Sequence, residues 1–231
     1  MSKQTPYGIE EQDIRFDVVE FAENPEPRCP CILLLDCSGS MQTGNAIIEL
    51  NNGLYSFQQQ LKSDELASKR VEVTVIKFDS NVTVLNEFET AENFTPHELT
   101  ASGMTSMGQA IEQAVSMLEQ RKRLYKENGI SYYRPWIFLL TDGEPNDEWS
   151  NAVDLIHEGE HNKQFAFFAV GVGNDVNMDI LRQISVRQPL KLDGLKFTEL
   201  FQWLSNSMSS VSRSSLDADI ALETPSGWAK I

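Results

Sequence analysis

The stretch Cys31-Ile32-Leu33-Leu34-Leu35-Asp36-Cys37-Ser38-Gly39-Ser40 changes character at one point. Five apolar residues without a polar break read as a strand buried on both faces. The next five place a carboxylate and two hydroxyls at positions 36, 38 and 40 of a tight loop, with Gly39 letting the backbone bend between them. Two later segments add further oxygen donors: Thr105 follows the Gly103-Met104 turn, and Asp142 lies in Thr141-Asp142-Gly143, after the apolar run Trp136-Ile137-Phe138-Leu139-Leu140. Asp36, Ser38, Ser40, Thr105 and Asp142 therefore form a candidate metal site built only from oxygen. Hard donors with two carboxylates suit Mg2+, with Mn2+ or Ca2+ as alternatives, better than zinc. A dication neutralised by at most two carboxylates retains affinity for one more, supplied by another molecule.

Outward from this loop, apolar strands alternate with helical patterns, which predicts an α/β fold: a doubly wound, mostly parallel sheet with helices on both faces. Strands are expected at about 30–36, 71–78, 136–140 and 165–172. The short run Val82-Thr83-Val84-Leu85 after Asp79-Ser80-Asn81 reads as an antiparallel edge strand. Ile47, Leu50, Leu54, Phe57 and Leu61 recur at helical spacing over 44–62, and Met107, Ile111, Ala114, Val115 and Leu118 mark a longer helix over 105–127. Helices are also expected over 147–161, 177–185 and 197–213, followed by a tail from Asp217 onward that loses helical pattern. In such a sheet, ligands bind beyond the carboxyl ends of the strands where the winding reverses, and strands carrying Asp36 and Asp142 would be neighbours there.

Asp36-x-Ser38-x-Ser40, then Thr105, then Thr141-Asp142-Gly143 resembles the metal-ion-dependent adhesion site of von Willebrand factor type A domains, with all five positions in order. The resemblance spans about residues 28–205 and implies one Rossmann-like domain over 1–231, with a C-terminal helix and tail at about 197–231. It implies that Ser38 and Ser40 hold Mg2+ directly, that Thr105 does so in the ligand-competent state, and that Asp36 and Asp142 act directly or through water. The implied activity is non-enzymatic capture of a Glu or Asp carboxylate from a protein partner. Leu139-Leu140-Thr141-Asp142-Gly143-Glu144-Pro145, the chain length and the Ser-rich end are similar to a bacterial TerY/YegL-like group. That group implies a role in stress response or tellurite resistance, beside a kinase or phosphatase of the same cluster.

The 231 residues carry a formal charge of -15, which disfavours nucleic acid, since a duplex would be repelled by such a surface. A hydrophobic content of 41% supports a substantial core. The polar start Met1-Ser2-Lys3-Gln4-Thr5-Pro6-Tyr7 has no export-type apolar segment, and no apolar run approaches the roughly 18 residues that span a bilayer. A cytoplasmic protein without membrane insertion is expected. Cys29, Cys31 and Cys37, an odd set on or beside one strand, are expected as reduced, mostly buried thiols.

Other motifs compete for a function. His157-Glu158-Gly159-Glu160-His161 matches the zinc-hydrolase pattern literally, two imidazoles one helical turn apart with a glutamate to activate water. Gly159 weakens the helix it requires, and Asn162-Lys163 signal that the helix is ending. Gly39 to Gly44 has phosphate-loop spacing, but Asn45-Ala46 replaces the Lys and Ser or Thr that would hold phosphate and magnesium. Gly171-Val172-Gly173 lacks the third glycine of a dinucleotide turn. A haloacid-dehalogenase-type phosphatase would need an aspartate where Ser38 stands. Glu144 and Asp147 are expected as loop acids within reach of bound water, and the serines at 205, 207, 209, 210, 212, 214 and 215 as solvated or capping residues with the capacity to accept phosphate. A third alternative is a scaffold whose ion merely stabilises the loops.

Overall fold

In the computed structural model, residues 21–174, 176–216, 225 and 227–230 are described; the polar N-terminal stretch and most of the expected tail lie outside them. The apolar runs become the central strands. β1 (Cys29–Asp36) pairs in parallel with β2 (Val71–Phe78) on one side and β4 (Trp136–Thr141) on the other, and every residue of β1 is buried. β3 (Val82–Thr90) is the expected antiparallel edge strand, extending five residues past the predicted run. β5 (Ala166–Gly171) and β6 (Leu190–Leu192) continue the parallel sheet, and β7 (Ala229–Lys230) closes the far edge antiparallel to β6. The order β3-β2-β1-β4-β5-β6-β7 reverses direction between β1 and β4, so the predicted α/β doubly wound sheet is present. Strands β6 and β7 are additions to the sequence-based expectation. Each is too short to leave a periodic signal.

Both faces of the sheet are covered. α1 (Ala46–Ser63) and α6 (Phe197–Arg213) pack on the face carrying Cys31, Leu33 and Leu35, whereas α3 (Met107–Glu127), α4 (Ser150–His161) and α5 (Met178–Ile184) cover Ile32 and Leu34. The four-residue α2 (Ala67–Arg70) leads into β2. Trp228 returns past α6 and buries its ring 5.4 Å from that of Trp203, so this part of the tail lies against the domain. Among the described residues no helix is long and apolar enough to cross a membrane.

The contact between α1 and α6 depends on Gly53. A Cβ there would stand 2.6 Å from the Phe201 ring and 3.1 Å from Phe197 Cβ. Helix propensity favours alanine by about 1 kcal/mol, but overpacking of this kind costs about 1–3 kcal/mol. Gly53→Ala is expected to lower stability in urea denaturation, and an unchanged or higher midpoint would show that α6 has room to move.

Three serines of α6 differ from their expected solvated or capping roles, whereas Ser210 is exposed as expected. Ser205, Ser207 and Ser212 are buried; Ser205 donates to Gln60 of α1, and Ser212 to the Ser209 carbonyl at 2.8 Å. They form part of a helix interface.

Candidate metal site

The β1–β4 register aligns Leu35 with Leu140, so Asp36 and Thr141 leave the sheet side by side. Beyond Asp36 the chain turns sharply: Ser38 N–H donates to Asp36 Oδ1 at 2.8 Å, and a 3-10 helix (Gly39–Asn45) follows. Gly44 and Asn45 both adopt left-handed backbone, with φ of 62° and 68°, and redirect the chain into α1. Glycine and asparagine tolerate this conformation at least cost.

Three loops are then stitched together. Gly39 N–H donates to the Gly103 carbonyl at 3.1 Å and Ser102 N–H to the Cys37 carbonyl at 2.8 Å, fixing the loop that carries Thr105. Gly103, with φ of 73°, packs so tightly on Ser80 that a Cβ would lie 2.5 Å from its hydroxyl oxygen. Asn146 clasps Thr105 from the third loop. Its Oδ1 accepts from Thr105 N–H at 3.0 Å while its own N–H donates to the Thr105 carbonyl at 2.9 Å. Sequence reading did not single out Asn146, because an asparagine after Pro145 reads as an ordinary turn residue.

The five predicted side chains converge. Ser38 and Ser40 hydroxyl oxygens are 2.9 Å apart, Ser40 donates to Asp142 Oδ1 at 2.7 Å, and the Thr141 hydroxyl donates to Asp36 Oδ2. Gly143 supplies a reference point: a Cβ built on it would lie 3.5 Å from Thr105 Oγ1 and 3.9 Å from both Asp36 Oδ2 and Ser40 Oγ. Oxygens from three loops thus surround one small volume, which glycine leaves free.

Electrostatics favour a cation at that point. Asp36 is fully buried; loss of hydration pushes its carboxyl up to about 6, and proximity to Asp142 adds to this, against the lowering effect of hydrogen bonds from Ser38 and Thr141. Burial also raises Asp142, partly offset by the bond from Ser40. Neither carboxylate has an ion pair among the described residues, since nearby Lys77 is engaged by Asp79 at 3.2 Å. One buried and one half-buried carboxylate with three hydroxyls, and no basic partner among the described residues, fit a hard dication. Such an ion would bring these oxygens together and keep the hydroxyls as neutral donors to it.

The neighbouring acids have other work. Asp147 accepts from Gly108 and Gln109 N–H at 3.1 and 2.9 Å, capping the start of α3, and Glu144 accepts from the Asn177 amide at 2.6 Å. The His157-Glu158-x-x-His161 motif does not assemble. His157, Glu158 and His161 are exposed at the end of α4, and His157 Nε2 contacts the Gln183 carbonyl at 3.1 Å. Glu160 is instead buried between Arg134 and Arg187, and α4 runs through Gly159 because Phe165 packs where a side chain would stand. Among the described residues no three His, Cys, Asp or Glu side chains converge on a metal position, and Cys29, Cys31 and Cys37 are separately buried free thiols.

A family model for the von Willebrand factor type A domain matches residues 31–191, and the chain belongs to that family. Solved structures share its fold. A von Willebrand factor type A protein from Catenulispora acidiphila has a TM-score of 0.59 at 17% identity, covering 79% of this chain and 43% of that one. Proximal thread matrix protein 1 from the mussel byssus has a TM-score of 0.56 at 18% identity, covering 80% and 48%. The SpaC pilus adhesin of Lactobacillus rhamnosus GG in its open conformation has 0.58 at 16%, covering 80% and 30%. The chain thus spans less than half the length of each of these proteins. A further structure of the mussel protein is described as having a zinc-occupied MIDAS motif. Comparison with curated proteins gives no match.

Proposed function

We propose that the chain is a non-enzymatic, metal-dependent protein-binding module. Asp36, Ser38, Ser40, Thr105 and Asp142 hold Mg2+, with Mn2+ or Ca2+ as substitutes, and a Glu or Asp of a protein partner completes the coordination. What carries this reading is the convergence of Asp36, Ser40 and Thr105 oxygens on the space above Gly143. The metal supplies a positive centre in an acidic surface; the protein residues orient it and hold the three loops that frame it. Zinc in the mussel protein's motif supports a divalent ion in this class of site, although all-oxygen ligands here favour a harder one. The narrower proposal places the module in the cytoplasm, in bacterial stress or tellurite-resistance signalling beside a kinase or phosphatase, and it rests on the resemblance at Leu139 to Pro145, the chain length and the Ser-rich end.

Gly143→Ala tests the site without removing any ligand. The added methyl makes only ordinary contacts, so the metal-free fold should be preserved while the ion's space is filled. Mg2+ or Mn2+ affinity by calorimetry is expected to fall at least tenfold, and metal-dependent capture of partners from lysate to disappear. Unaltered affinity and capture would remove the proposed site.

A further inference from the structure

A basic cavity lies at the other end of the sheet. α3 begins beside Thr105 and runs 21 residues, about 30 Å, before ending near the start of β4. There Lys122 and Lys126 from α3, Tyr132 and Arg134 ahead of β4, and Lys163 beyond α4 line a cavity of about 460 Å³. In a chain of net charge -15, four cations and a single carboxylate, Glu119, face this space.

The cations are not all spent on internal pairs. Lys122 is paired with Glu119 at 2.6 Å, and Arg134 is held by Glu160 and the Phe165 carbonyl. The Lys126 and Lys163 ammonium groups make no hydrogen bond or ion pair with the described residues. A lysine in the last turn of a helix complements its dipole, which accounts for Lys126. It does not account for Lys163. This residue follows the end of α4 with φ of 55°, its N–H donating to the Glu160 carbonyl at 3.1 Å while Gln164 N–H donates to the Gly159 carbonyl at 2.8 Å. That closing turn calls for glycine at the left-handed position, and any side chain there costs stability. Here the costly position delivers an unpaired ammonium to the cavity.

We infer that this cavity binds a small molecule bearing a di- or polyphosphate, with Lys126 and Lys163 as its principal contacts and Lys122 and Arg134 contributing positive potential. A single carboxylate would need one cation; several cations around a volume in the range of small-ligand pockets suit a multiply charged anion. The acidic remainder of the surface is screened beyond about 8 Å at physiological ionic strength, so the nearby cations dominate at the cavity. Tyr132, half-buried at the wall with its ring packed 5.3 Å from that of Tyr125, is the aromatic group beside which a nucleoside would lie if one is attached.

Calorimetric titration of the full chain with pyrophosphate and with ADP, at physiological ionic strength and with chelator present to exclude the metal site, tests this. One-to-one binding is expected, weakened at least tenfold in Lys126→Glu/Lys163→Glu and unchanged in Asp36→Asn. Tighter binding of ADP that Tyr132→Ala reduces to the pyrophosphate level would identify a nucleotide; equal affinities would identify the diphosphate alone. Lys163→Gly is expected to raise the melting temperature while weakening binding. Absence of binding at millimolar pyrophosphate, equal affinity for sulfate, or full affinity in the double variant would overturn the inference. So would a lower melting temperature for Lys163→Gly, which would make the lysine structural.

Discussion

Replacing Asp36 by asparagine is expected to stabilise the metal-free protein at neutral pH and to abolish its stabilisation by Mg2+ or Mn2+. The folded-state carboxyl titrates near 6, against an ordinary value of 3.8, because burial penalises its charge. A carboxyl whose folded value is raised binds its proton more tightly in the folded state. Below pH 4 it is protonated in both states and costs nothing. Stability then falls as pH rises from about 4 to about 6 and stays low above that. The two-unit shift corresponds to about 3 kcal/mol at neutral pH. Asparagine removes this penalty while keeping an acceptor for Ser38 N–H and a hydrogen-bonding group for the Thr141 hydroxyl. In chelator, the wild type should therefore lose stability between pH 4 and 7 while the variant loses less, with Asp142 providing the residual slope. Adding metal should reverse the order, since an ion that binds only the folded wild type stabilises it by mass action. Urea denaturation of both proteins, with chelator and with metal, measures all four values. A variant less stable than wild type in chelator at pH 7 would mean that Asp36 is paid for by contacts other than a metal.

The sheet and the gathering of the candidate site residues were legible because both rest on local patterns. Leu33, Leu34 and Leu35 must be buried on two faces, and Asp36 must leave the sheet where that burial ends. Boundaries of α6 at Phe197 and Arg213 were equally readable from its apolar stripe. Contacts between distant segments were not. Asn146 holds Thr105 across 41 residues, and nothing in either local sequence announces the pairing. The literal His157 to His161 match stayed an alternative for a related reason: helical spacing puts both rings on one face, and only the fold decides that this face of α4 looks outward. The serines of α6 show the same limit, since hydroxyls that bond to their own helix carbonyls can be buried where polarity suggested exposure.

Glu72 is the residue whose loss should cost the fold most. Val71-Glu72-Val73-Thr74-Val75 alternates as though one face were wet, yet Glu72 is fully buried at the base of β2. Arg28 Nε donates to its Oε1 at 2.8 Å, Arg121 donates to both oxygens at 2.9 and 3.0 Å, and the Tyr125 hydroxyl donates to Oε2. Phe21 covers the two guanidinium groups, its ring 5.4 Å from Arg28 and 4.8 Å from Arg121. Exchanging such a cluster for apolar residues can be neutral, whereas removing the carboxylate that Arg28, Arg121 and Tyr125 share among the described residues costs about 3–5 kcal/mol. Glu72→Gln keeps the shape and removes the charge. It should cost that amount in urea denaturation followed by tryptophan fluorescence, a large part of the 5–15 kcal/mol typical of a domain. Salt should restore little, because the cluster is shielded from solvent. Pairing of Glu72 with Pro30 puts it six residues, about 20 Å, from Asp36 along β1. At that separation the effects of Glu72→Gln and Asp36→Asn should add. A loss below about 1 kcal/mol would indicate that other groups compensate the arginines; non-additivity beyond about 0.5 kcal/mol would show that the base of the sheet and its Asp36 end are coupled through β1 itself.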